Sequence, residues 1–127
     1  MLRSIDDGLF VVDSDYKIVN MNPAAQQIIG KNTENVIGLH FLEILKRDEI
    51  FASIKKTMES GKTHNIDELQ NVISIDKDGQ TSYYQFSILP VLEKQGQLLG
   101  VVLLLKNVTR LKELEKLKSE FVMAASH

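Results

Sequence analysis

Cysteine is absent from this 127-residue chain, which excludes disulfides, thiolate metal sites, cysteine nucleophiles and photochemistry that needs a cysteine adduct. The absence also accords with a reducing compartment. Long hydrophobic runs are missing too: the longest, Leu98 to Leu105, contains a glycine and falls far short of the roughly 20 apolar residues that cross a bilayer. It reads as a buried strand. No basic segment followed by an apolar stretch opens the chain, so no secretory signal is expected and the cytoplasm is the expected location. A parent protein anchored in a membrane upstream of Met1 is compatible with that expectation. Excess charge of one sign is lacking as well: 15 Lys+Arg stand against 17 Asp+Glu, a net charge of -2, which argues against nucleic acid or an anionic membrane surface as a partner.

Catalytic signatures are equally scarce. Neither a glycine-rich phosphate loop nor a metal cluster is legible, so no catalysis by these residues, no cofactor and no metal are expected. His40, His64 and His127 are far apart and lack metal-ligand spacing. For His40 and His64 the expected role is at the surface or in a structural hydrogen bond.

What is present is ordinary globular composition, 43% hydrophobic and 25% charged, which suits one domain with one core. Leu9 to Val12 is a short β-branched and aromatic run, Asp13-Ser14-Asp15 favours a turn, and Lys17 to Met21 makes a second strand, so the two read as a hairpin. Asn22-Pro23 starts a helix, because asparagine can accept from free amides and proline at the first helical position forfeits no needed bond. That helix, Ala24 to Ile29, stops at Gly30. From Asn35 to Leu45 the apolar residues around Gly38 are too irregular for one long helix and predict two short ones. With Asp48 as its cap, the next helix carries Phe51, Ile54 and Met58 on one face and ends at Gly61.

Beyond it the period changes to two. Strands are predicted from about His64 to Ile75, from Ser82 to Val91 and from Leu98 to Lys106, with turns at Asp76 to Gly79 and Glu93 to Gln97. Tyr84, Phe86 and Ile88 share one face of the middle strand, and Tyr83, Gln85 and Ser87 the other. Pro90 predicts that the pairing of this strand ends early. Two strands, several short helices and three strands, without βαβ alternation, make an α+β plan.

From Arg110 the composition changes again. Leu111, Leu114, Leu117, Phe121 and Ala124 or Ala125 form an apolar stripe on a charged helix, where Lys112 with Glu115, Glu115 with Lys118 and Lys116 with Glu120 can pair across single turns for about 0.2 to 0.5 kcal/mol each. A stripe of this kind must be buried, and a second copy of the helix is the economical partner. Two seams are open: Leu114, Leu117, Phe121 and Ala124, or Leu111, Leu114, Lys118, Phe121 and Ala125. Packing on the chain's own sheet is the alternative.

The order of these elements, with Asp13 closing the first strand, Asn20-Met21-Asn22-Pro23-Ala24-Ala25 at the first helix, Gly30, and Val36-Ile37-Gly38, resembles the PAS domain family over nearly the whole chain to Thr109. The resemblance implies a five-stranded antiparallel sheet with short helices on one face and a small cavity between them. Family members commonly end in Asp-x-Thr and a charged residue, which ties the last strand to the outgoing helix; here the segment is Asn107-Val108-Thr109-Arg110. Asparagine at the first position can still accept a hydrogen bond but cannot make an ion pair with Arg110. The final residues, Lys118 to Ser126-His127, resemble the start of the dimerisation and phosphoacceptor segment of bacterial sensor histidine kinases. On that resemblance His127 is the phosphoacceptor candidate, since neutral imidazole is a nucleophile near neutral pH.

The resemblance therefore implies a PAS sensory domain over residues 1–109 and a signalling helix over 110–127. Its partners would be a second copy, the ATPase domain of its own parent kinase and a response regulator. Haem-binding relatives use a histidine on the long helix, and Asp48 to Ser60 contains none; flavin photoreceptors need a cysteine, which this chain lacks. Phe41, Ile44, Leu45, Phe51, Ile54, Met58, Phe86, Ile88, Val102 and Leu104 are the candidate cavity lining. All are apolar, so a ligand there would be neutral or mostly apolar, and periodic packing alone also accounts for them. Two classes of function remain open: a relay module acting through the C-terminal helix, or a small-molecule-binding protein or small enzyme using the cavity.

Overall fold

In the computed structural model, residues 7–62 and 71–125 are described, with side chains as far as Lys118. Two strands, β1 (Gly8–Asp13) and β2 (Ile18–Met21), are followed by four helices, α1 (Pro23–Ile29), α2 (Thr33–Val36), α3 (Phe41–Ile44) and α4 (Asp48–Ser60). Three strands come next, β3 (Val72–Lys77), β4 (Gln80–Leu92) and β5 (Leu98–Asn107), and then α5 (Thr109–Ala125). The strands make one sheet in the order β2-β1-β5-β4-β3, with antiparallel pairing throughout. This is the expected α+β plan, a five-stranded sheet with its helices on one face.

Local chemistry accounts for the elements. At the β1–β2 turn Asp13 Oδ1 accepts from the amides of Asp15 and Lys17 at 2.9 and 3.0 Å, so its side chain replaces bonds that the ladder cannot supply. Asn22 caps α1, accepting from the Ala25 amide at 2.8 Å. The same Oδ1 accepts from the Leu9 amide at 3.0 Å, and Nδ2 donates to the Asp7 carbonyl at 3.0 Å. One side chain thus starts a helix and fastens it to β1. Asp78 and Gly79, at φ 54° and 79°, form the two-residue β3–β4 connection, a left-handed pair that matches strand twist and that Asp-Gly adopts readily.

Alternation along the strands selects the core. Phe10 and Val12 of β1, Phe86 and Ile88 of β4, and Val101, Leu103 and Leu105 of β5 point toward the helices and are buried with Phe41, Ile50 and Ile54. At 25 cal/mol per Å², each such side chain contributes roughly 1.5 to 3 kcal/mol of transfer free energy. At Gly100 of β5 any side chain would meet the backbone of β1. A Cβ there would lie 2.2 Å from the Val12 carbonyl oxygen, so glycine lets β1 and β5 meet.

Several expectations need correction. Asp48 is the first helical residue of α4 and Arg47 precedes it as the cap, without a side-chain bond. The buried face of α4 is Ile50, Ile54 and Thr57, while Phe51 and Met58 flank it half-buried. The described part of β3 begins at Val72, and His64 to Gln70 of the predicted strand lie outside the described residues. Its turn is shorter than predicted, because Asp76 and Lys77 pair with Thr81 and Gln80.

Pro90 does not end β4 early; it pairs with Val101, and the strand continues to Leu92. The Phe86 amide donates toward the β3 side, to the Asn71 carbonyl, so by alternation the nitrogen of Pro90 faces that side too. Described β3 residues begin at Val72, opposite Gln85, and the ladder with β5 loses no bond to the missing N–H. Finally, Val102 and Leu104 do not face the helices. Register places Val102 beside Val11 and Leu89, and Leu104 beside Leu9 and Ser87, on the opposite face.

Candidate functional site

The candidate cavity lining divides three ways. Phe41, Leu45, Ile54, Phe86 and Ile88 are buried members of the core, and Ile44, Phe51 and Met58 pack against it half-buried. Val102 and Leu104 belong to the outer face. The aromatic corner of this core is built by Tyr16, His40, Phe41 and Phe51, with Tyr16 and Phe51 edge-on at 5.2 Å and His40 5.4 Å from Phe51. His40 caps α3, its Nδ1 accepting from the Leu42 amide at 3.1 Å. This tautomer carries its proton on Nε2. His64 and His127 lie outside the described residues.

The strand-to-helix junction is the most densely bonded polar feature at the end of the sheet. Asn107, the last residue of β5, donates its amide to Asp7 Oδ1 at 3.0 Å and accepts from the Thr109 amide through Oδ1 at 3.0 Å. Val108 is buried, its amide donating to the Tyr83 carbonyl at 2.8 Å. Thr109 Oγ1 accepts from the Tyr83 amide at 2.9 Å, and the Val108 carbonyl receives the first helical bond from Lys112 at 2.9 Å. Both backbone groups of Tyr83 are therefore spent on the junction. β4 grips the point where β5 becomes α5. Asp7 and Tyr83, the latter on the outer face of β4, are the participants that sequence reasoning missed, and strand alternation carried no sign of them.

Arg110 is exposed and makes no hydrogen bond or ion pair among the described residues. Asn107 Oδ1 faces the Thr109 amide instead. Lys112, Glu113, Glu115 and Lys116 of α5 share a cleft with β3 and β4. Leu111, Leu114 and Leu117 are 56%, 56% and 61% exposed, so this part of the stripe is not buried on the chain's own sheet. Lys112 and Glu115 form one of the expected pairs at 3.7 Å, an exposed contact worth only a few tenths of a kcal/mol. The backbone of α5 includes Phe121, Ala124 and Ala125, but their side chains are outside the described set. Among the described residues there is no metal-ligating cluster, and no helix is long and apolar enough to cross a membrane.

Comparison with known proteins supplies the context for this geometry. The family described as PAS fold matches residues 2–113. The alginate biosynthesis sensor protein KinB of Pseudomonas aeruginosa is 32% identical over 128 residues, covering 100% of this chain and 21% of KinB. The sensor protein kinase WalK of Staphylococcus saprophyticus is 26% identical over 127 residues, covering 100% of this chain and 19% of WalK. The chain thus spans about a fifth of these curated relatives. Among solved structures, a sensory box sensor histidine kinase from Vibrio cholerae superposes with a TM-score of 0.63 at 19% identity, covering 81% of this chain and 82% of that one. VqmA bound to DPO superposes with a TM-score of 0.64 at 20% identity, covering 79% and 51%. At these identities the superpositions establish the fold.

Proposed function

The chain belongs to the PAS fold family, and on that premise we propose that it is the cytoplasmic sensory and dimerisation module of a two-component sensor histidine kinase. The names of its relatives support the class of parent protein. The observation that carries the relay is the junction, where a strand paired on both edges passes through bonds to Tyr83 and Thr109 into a helix whose leucines are exposed. A second copy of α5 covers Leu111, Leu114 and Leu117, and Phe121 and Ala124 extend the same seam. A shift of β5 against β4 changes the entry angle of the paired helices, and two such packings constitute the two signalling states.

In this reading His127, one residue beyond Ser126 at the end of the stripe, receives the phosphoryl group. The ATPase domain of the parent supplies that group, and a response regulator takes it on. The rival, an enzyme or binding protein built around an apolar cavity, has less support, because eight of its ten proposed lining residues pack in or against the core and two face away.

Thr109→Ala and Arg110→Ala in the full-length kinase test the relay. Thr109→Ala removes the oxygen that accepts from Tyr83 and is expected to change signal-dependent autophosphorylation. Unaltered regulation in both variants would sink the junction mechanism.

A further inference from the structure

A cleft at the edge of the apolar core opens between α1 and the β3–β4 hairpin. Its floor is Ala24, Ile28 and Ile75, and its polar wall is Lys77, Ser82, Tyr84 and Asn107. The geometry points to a binding site here for a small molecule with an apolar body and one carboxylate, whose occupancy is felt at the start of α5 through Asn107.

Size, charge and hydrogen bonding each contribute to this assignment. The cleft encloses about 170 Å³, and an engineered apolar cavity of roughly 150 Å³ holds a benzene ring. A single ring or short branched chain therefore fills the floor and leaves its polar end at the rim. Among the described residues no acidic side chain lines the cleft, and Lys77 is its one cation. Lys77 Nζ donates to the Gln27 carbonyl at 2.6 Å, which holds the ammonium over the C-terminal end of α1 and uses one of its three donors. Two remain for an anion. The nearby carboxylate of Asp7 is engaged by the Asn107 amide, and Asp76 accepts from Thr81 at 2.6 Å on the other face of the hairpin.

Asn107 connects the cleft to the helix. Its Oδ1 is committed to the Thr109 amide, so its NH₂ group is the part that can donate to a ligand. Aspartate at this position would accept from the Thr109 amide equally well, but it would set a negative charge in the wall. Asparagine supplies both that acceptor and an anion donor. A carboxylate bridging Lys77 and Asn107 therefore pulls on the side chain that holds the first turn of α5.

The consequence for signalling rests on the sensory reading above, whereas the binding is measured without the kinase. Benzoate titrated into the ¹⁵N-labelled chain is expected to give saturable amide shifts at Lys77, Ser82, Asn107 and Thr109. Lys77→Met and Asn107→Asp, with far-UV spectra like the parent's, should each weaken binding about tenfold or more, and neutral benzamide should bind about tenfold more weakly than benzoate. The site is overturned by shifts that do not saturate, by shifts elsewhere, or by variants and benzamide that bind like the parent with benzoate. Saturation at the cleft without a shift at Thr109 overturns the coupling. Benzoate that binds here yet leaves the output of the full-length kinase unchanged counts against the sensory reading, and the site stands.

Discussion

β5 and α5 are consecutive in sequence and opposite in circumstance. β5 lies between β1 and β4, bonded along both edges, with Val101, Leu103 and Leu105 fully buried. α5 has one fastened turn and then three leucines more than half exposed. Stability in this domain is therefore concentrated in the strand and nearly absent from the helix, since an isolated helix of this length is marginal in water. A relay needs both properties. In the relay proposed above, the strand would report a change in the core and the helix would adopt the packing that a second copy offers.

The largest expected effect attacks the stiff side. Gly100→Ala places a methyl against the Val12 carbonyl and must push β1 from β5, which should cost about 3 kcal/mol in urea unfolding. A cost below 1 kcal/mol would mean that the two strands separate easily. Of comparable size, Leu103→Ala should cost roughly 2 to 5 kcal/mol, and Leu104→Ala, one residue along on the outer face, distinctly less. Equal losses would contradict the assigned facing of β5. At the boundary, Asn107→Ala removes the bond to the Thr109 amide and should cost about 1 kcal/mol, with faster amide exchange in the first turn of α5. Exchange unchanged there would show that this bond does not hold the helix.

The sequence predicted this difference better than it predicted the strand itself. Asn22-Pro23, Gly30, Gly61 and the alternation of Tyr84, Phe86 and Ile88 each have a local physical cause, and each lies where that cause requires. β5 has no such mark. Leu98 to Leu105 is apolar on both faces, so Val102 and Leu104 looked as suited to the core as Val101 and Leu103, and only the ladders with β1 and β4 decide the matter. Pro90 misled for a related reason: its cost depends on which edge its nitrogen faces, a property of register. Ile50 was overlooked because Phe51 offered the same helical spacing one residue later. The junction was half legible. Asn107 and Thr109 stood out by resemblance, but their bonds to Asp7 and Tyr83 join residues far apart in the chain.

The central claim is that α5 is completed by a second copy of itself, and sedimentation equilibrium of the chain beside Leu114→Glu tests it most directly. The parent should sediment as a dimer. The variant should sediment as a monomer whose unfolding free energy, compared at a concentration where both are monomeric, stays within about 0.5 kcal/mol of the parent, as expected of an exposed position. A parent that remains monomeric at every accessible concentration, or a variant that dimerises as tightly as the parent, would contradict the account.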